Sequence, residues 1–185
     1  GQSDHGSSLD RGIPTARRRR ACPSSSRKVF GTMIVSFNVN GEDRVANVAG
    51  AESLLQVLRE EMELPGSKNA CEQGECGSCS VILDGAIVTS CLVMAADCEG
   101  STVVTIEGIG SDRELHAVQE ALIDHGAVQC GFCTPGFVVT AAHLFEENPH
   151  PSNDEIKEAL SGNICRCTGY GAILRGLEAL AEEGA

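Results

Sequence analysis

Cys71-Glu72-Gln73-Gly74-Glu75-Cys76-Gly77-Ser78-Cys79 gathers three cysteines and two glycines into one short run. Glycine tolerates φ/ψ that other residues avoid and lets backbone approach a neighbour closely, so the run reads as a wrapping loop. Upstream, Met33 to Val39 is rich in β-branched residues and partly alternates, which predicts a strand. Asn40-Gly41 marks a tight hairpin turn, and Arg44 to Val48 is the return strand. Leu54, Leu55, Val57 and Leu58 then share one helical face between about Glu52 and Glu61, before Pro65-Gly66 breaks the chain. Downstream, Ser80–Leu83 and Ala86–Thr89 flank Asp84-Gly85, a second hairpin, and Thr102 to Ile106 is a last strand. Strand, strand, helix, loop and three strands describe a small α+β unit.

The loop spacing, Cys71-x4-Cys76-x2-Cys79 with Cys91 eleven residues beyond, is the plant-type pattern for a 2Fe–2S cluster. Four thiolates must converge on two irons, and free loop amides pointing at the sulfurs offset the negative charge. Cys91 lies at the end of the second hairpin, which can fold it back onto the loop. A structural zinc site would favour two CxxC-like pairs, and this set holds one.

From about Glu107 the periodicity turns helical. Helices are expected from Glu114 to His125, from Thr134 with Pro135 in its first turn, from the Ser152–Glu155 capping box to Gly162, and from Thr168 to the C-terminal region. Four helices with short links suggest a bundle. Two cysteine pairs precede two of these helices: Gln129-Cys130-Gly131-Phe132-Cys133 and Cys165-Arg166-Cys167. Helix N-termini present free amides and a positive dipole end, which suits an anionic cluster. By itself CxxC plus CxC also fits zinc or a redox disulfide. Arg166 either offsets cluster charge or forms a salt bridge at the helix start.

The chain has 185 residues, ten cysteines, 21 glycines and few aromatics, which suits two small units better than one large core. Residues 1–32 carry seven Lys/Arg against two Asp, so +5; the rest carries seven against 24 acids, so −17. Nucleic acid binding depends on Lys/Arg at phosphates, so this acidic body excludes it. The Ser-, Gly- and Arg-rich stretch 1–32 reads as a disordered tail. No apolar segment follows Arg17–Arg20, which argues for a cytoplasmic protein over an exported one. No run approaches the roughly 18 apolar residues of a membrane helix, so no membrane insertion is expected. In a reducing compartment cysteines ligate metal more readily than they form disulfides. Cys22 and Cys98 receive no role. The histidines are scattered, none beside paired cysteines as a Rieske centre requires, and His116 and His143 read as packing or surface residues.

Taken together, the Cys71–Cys79 motif, Gln129-Cys130-Gly131-Phe132-Cys133-Thr134-Pro135-Gly136 and Gly162-Asn163-Ile164-Cys165-Arg166-Cys167-Thr168-Gly169-Tyr170 resemble the small iron–sulfur subunit of the xanthine oxidase family of molybdenum hydroxylases. The resemblance spans roughly residues 33–182. It implies an α+β fold: an N-terminal β-grasp, plant-type ferredoxin-like domain at 33–107, then an all-α four-helix-bundle domain at 108–185. It implies two 2Fe–2S clusters, one on Cys71, Cys76, Cys79 and Cys91, the other on Cys130, Cys133, Cys165 and Cys167. The bundle cluster would lie beside a molybdopterin on a large partner subunit, with Gln129 contacting the pterin and Cys167 near its amino group.

The same resemblance implies electron transfer from the molybdenum centre through both clusters to FAD on a medium subunit, in a dimer of heterotrimers. The x11 spacing before Cys91 looks like members built from separate subunits. No Rossmann GxGxxG follows a strand here, so flavin has no evident home on this chain. No catalytic residue is expected and no activity from the chain alone. A zinc-stabilised interaction module and a free-standing ferredoxin with a helical extension are the competing expectations.

Overall fold

Asn40 and Gly41 both have positive φ, 53° and 84°, the geometry a two-residue hairpin turn requires. They join β1 (Met33–Val39) to β2 (Glu42–Val48) in an antiparallel pair with Val39 opposite Glu42. The computed structural model describes residues 31–111 and 113–184; the tail expected at 1–32 lies almost wholly outside them, with Cys22 and His5. Asp84 and Gly85 repeat the turn geometry between β3 (Ser80–Leu83) and β4 (Ala86–Thr89). β5 (Thr102–Val104) runs parallel to β1 and antiparallel to β3, completing a mixed sheet in the order β2-β1-β5-β3-β4. β5 ends two residues short of the expectation, because Thr105 gives its amide to the Asn40 side chain at 2.8 Å and the chain turns into a 3₁₀ helix at Ile106–Gly108.

α1 (Leu54–Glu60) starts where the Ser53 hydroxyl accepts from the Gln56 amide, and its apolar face lies on the sheet. Val35, Phe37, Val39, Leu54, Leu58, Val81 and Val103 form this first core. Side chains alternate along a strand, so Val81 enters that core while Ile82 points to the opposite face. Ile82 joins a second core with Val118, Leu122, Phe137, Ile156 and Leu177. β3 is thus covered on both faces, and burying each such side chain contributes about 1.5–3 kcal/mol.

The second core belongs to α2 (Ala117–Asp124), α3 (Thr134–Glu147), α4 (Asn153–Ala159) and α5 (Gly171–Glu183). α4 begins at the Ser152/Glu155 capping box, as the sequence predicts. α2 begins later than expected because His116 caps it: Nδ1 accepts from the Val118 amide and the Gln119 side chain returns to the His116 amide. α5 begins at Gly171 after Tyr170, not at a Thr168 cap. Among the described residues no helix is long and apolar enough to cross a membrane.

Candidate metal centres

The loop from Asn69 to Cys79 has no regular secondary structure, and Glu72, Gly74 and Gly77 in it adopt positive φ. These reversals curl the loop and aim amides inward; the Gln73 amide donates to the Cys71 sulfur at 3.4 Å. Gly74 takes a φ of 76°, which side-chain-bearing residues rarely adopt, and the segment after β4 closes over the loop with its Leu92 side chain packed against Gly74. That closure carries Cys91, and Ser90 secures it by donating its amide and hydroxyl to the Cys79 carbonyl at 3.3 and 2.7 Å. The thiols meet in two pairs, Cys71 with Cys76 and Cys79 with Cys91.

The second set assembles from more distant segments. Cys133 is the N-cap of α3, one residue before the predicted cap, and Cys130 lies in the turn before it. Cys165 and Cys167 precede α5. Here too the sulfurs pair: Cys167 with Cys130 at 3.5 Å, and Cys133 with Cys165. Two pairs are what a two-iron centre requires, two thiolates to each iron. A tetrahedral zinc needs its donors around one point. The donor sets therefore fit 2Fe–2S clusters better than zinc.

The thiols differ in acidity within each set. The Gln73 amide lowers Cys71 to about 6, while burial raises Cys91 to about 11. Burial and the neighbouring Cys165 raise Cys133 to about 12. Burial also opposes ionisation of Cys165, but the Thr168 hydroxyl and amide outweigh it and hold the thiol at about 7. The Phe132 amide lowers Cys130, and contact with Cys130 raises Cys167. Between Cys130 and Cys167, the thiolate accepts a hydrogen bond from the thiol and so opposes the thiol's ionisation.

The two sets are joined directly. The Ile164 amide donates to the Cys76 carbonyl at 3.0 Å, and the buried Asn163 side chain donates to the Gly77 carbonyl at 3.2 Å. Cys130 and Cys167 are exposed, as is Gln129 beside them, with Val128, Phe132, Ile164 and Tyr170 around. Arg166 is exposed and makes no ion pair among the described residues. Cys98 belongs to neither set; burial and Asp97 raise its pKa and it packs in the first core. Sequence reasoning missed Thr168 and Asn163 as neighbours of the sets. Thr168 lies three residues after Cys165, close enough for its hydroxyl to reach that sulfur, whereas nothing local marks Asn163.

A family model described as a 2Fe-2S iron-sulfur cluster binding domain matches residues 37–104, and one described as a 2Fe-2S binding domain matches 105–178. The nicotinate dehydrogenase small FeS subunit of Eubacterium barkeri is 44% identical over 74% of this chain and 87% of its own. The nicotine 6-hydroxylase small subunit of Paenarthrobacter nicotinovorans is 46% identical over 82% of this chain and 89% of its own. In the solved quinoline 2-oxidoreductase of Pseudomonas putida 86, a chain matches with TM-score 0.78 and 45% identity, covering 82% of this chain and 95% of that one. With both cluster-binding models matched in tandem and relatives this similar along nearly their whole length, the chain belongs to the small 2Fe–2S subunits of the xanthine oxidase family of molybdenum hydroxylases.

Proposed function

We propose that this chain is the electron-transfer subunit of a molybdenum-dependent hydroxylase or dehydrogenase complex. Cys71, Cys76, Cys79 and Cys91 hold one 2Fe–2S cluster, and Cys130, Cys133, Cys165 and Cys167 hold the other. Bound there, the clusters would supply one-electron storage between a molybdopterin centre on a large subunit and FAD on a medium subunit. The observation that carries this reading is the direct link between the sets, from the Ile164 amide to the Cys76 carbonyl. It connects the residue before one ligand to another ligand's own backbone, a short bonded route between two sites far apart in sequence.

The protein's residues wrap, orient and shield. The first loop turns amides toward its sulfurs, and the α3 N-terminus brings positive dipole to the second set. Gln129 and the exposed Cys167 are the residues we assign to the pterin side, where an amide that both donates and accepts suits pterin edges. Identity is similar, 44 to 46%, to relatives named for nicotinate, nicotine and quinoline. A role common to different substrates fits electron transfer, with no catalytic residue on this chain and substrate choice on the large subunit. The proposal includes a ferredoxin-like unit at 33–107, a helical-bundle unit at 108–185, a dimer of heterotrimers and a cytoplasmic site.

The test is electron paramagnetic resonance on the complex isolated from its host. Substrate should reduce two distinct 2Fe–2S signals, and metal analysis should find iron, molybdenum and flavin together. Protein that is colourless and carries zinc would establish the interaction-module reading instead.

A further inference from the structure

Thr168 stands one residue after the last cysteine of the second set, and its hydroxyl does not cap α5. It donates to the Cys165 sulfur at 3.1 Å, and its amide approaches the same sulfur at 3.5 Å. The hydroxyl's direction is imposed from behind. The Tyr170 amide donates to Thr168 Oγ1 at 3.2 Å, which occupies a lone pair and leaves the O–H to point at sulfur. Tyr170 is held in turn. It adopts a φ of 65° directly after Gly169 at 64°, a reversal that swings its ring back over the motif. There its hydroxyl accepts from the Cys165 amide at 3.0 Å and its ring meets Phe137 edge-on, with centroids 6.3 Å apart. A left-handed tyrosine persists only where its surroundings over-determine it. The motif thus spends a strained residue on fixing one hydroxyl against one sulfur.

The first set has no counterpart. Among the described residues its sulfurs receive the Gln73 amide at 3.4 Å and no hydroxyl. Hydrogen bonds to ligand sulfur are among the factors that set iron–sulfur potentials. A donor stabilises the more negative, reduced form over the oxidised form. Cys165 is 6% exposed, so solvent screens this donor less than it would at the exposed Cys130 and Cys167.

We propose that Thr168 is a positioning residue that raises the reduction potential of the second centre alone, by aiming its hydroxyl at the Cys165 sulfur. The inference rests on the ligand assignment proposed above. It makes the difference between the two potentials a property of this chain, adjustable without touching a ligand.

The experiment is a redox titration of the intact complex, both centres followed by electron paramagnetic resonance, in wild type, Thr168→Val and Thr168→Ser. Valine keeps the shape and removes the hydroxyl; serine restores it. In the valine variant the equilibrium constant for reducing the second centre should fall about tenfold, which for one electron is about 59 mV. The first centre should not move, and serine should return the second toward wild type. An unmoved second potential in the valine variant, or an equal shift of both, overturns the proposal. If valine abolishes the second signal, Thr168→Ala and Thr168→Ser are compared in the same way. Loss of that signal in both hydroxyl-free variants also overturns it, since the hydroxyl is then needed to hold the cluster, not to tune it. Failure of the wild-type complex to give two signals would instead sink the ligand assignment itself.

Discussion

The side-chain amide of Asn163 donates to the Gly77 carbonyl at 3.2 Å across 86 positions of sequence, so the approach to Cys165 is gripped by the residue that follows Cys76. Asn163 is 5% exposed, and the carbonyl it meets also accepts from the Ser80 amide and hydroxyl. Asn163→Ala therefore leaves no orphaned acceptor there. It removes one net hydrogen bond and opens a small void, a loss of about 1–2 kcal/mol. Thermal unfolding of the holoprotein should register it, and an unchanged midpoint would show that the contact carries no stability.

Gly136 makes the opposite kind of contact. A Cβ added there would lie 2.1 Å from the Gly77 carbonyl oxygen, with backbone and not a flexible side chain in the way. Within a helix, glycine to alanine ordinarily gains up to about 1 kcal/mol. Here Gly136→Ala should destabilise by about 1–3 kcal/mol through overpacking. Denaturant titration decides the sign, and a stabilised variant would contradict the close approach of α3 to the loop.

Cys71→Ser, Cys76→Ser or Cys79→Ser should remove one 2Fe–2S signal and leave the other, because each sulfur pairs only within its own set. The centre on Cys130, Cys133, Cys165 and Cys167 should remain reducible by substrate in the complex, with slow onward transfer to flavin. Loss of both signals from a folded variant would refute the separation of the sets.

Gln129 is exposed beside Cys130, and an ordinary surface glutamine is replaceable within about 0.5 kcal/mol. Gln129→Ala should keep both clusters while weakening molybdopterin retention or slowing reduction by substrate. One hydrogen bond with a buried partner left unpaired corresponds to roughly 1–3 kcal/mol. Stopped-flow reduction with parallel molybdenum analysis is the measurement; wild-type rates at full occupancy would make Gln129 a bystander.

His116 holds the start of α2 through its Nδ1 and the returning Gln119 side chain. His116→Ala should lower stability by about 1 kcal/mol, and His116→Asp should recover most of it, since aspartate is a strong cap. Equal losses in both variants, by calorimetry, would place the effect in packing instead.

How far the sequence is legible depends on whether a residue's role is local. Asn40-Gly41 and Asp84-Gly85 announce their turns because the required positive φ belongs to the residue types themselves. Ser152 and Glu155 announce α4 because both partners of the box lie within one turn. The α5 start is misread because Thr168 is an excellent cap whose hydroxyl is already committed to a sulfur. The end of β5 is misread because the group that takes the Thr105 amide lies 65 positions away. Cysteine spacing groups the thiols into sets, but which sulfur touches which is decided by the fold-back at Ser90 and by the meeting of the segments before α3 and α5.

Thr105 also stands where the two matched domains abut, and such a junction is ordinarily an exposed, pliant linker. Thr105 itself is fully buried. Asn40 holds it with both amide atoms, to Thr105 Oγ1 at 3.0 Å and from the Thr105 amide at 2.8 Å, while the Thr105 hydroxyl donates to Glu107 at 2.6 Å. Thr105 is thus bonded on every side, and across the two matched regions the Ile164 and Asn163 bonds to the Cys76–Gly77 backbone join one cysteine set to the other. On the proposed electron-transfer role, passage of charge between the two sets would then have a fixed tunnelling length and wait on no swing of one half against the other. Its rate should be indifferent to solvent viscosity, in contrast to carriers that deliver electrons by moving a tethered domain from donor to acceptor.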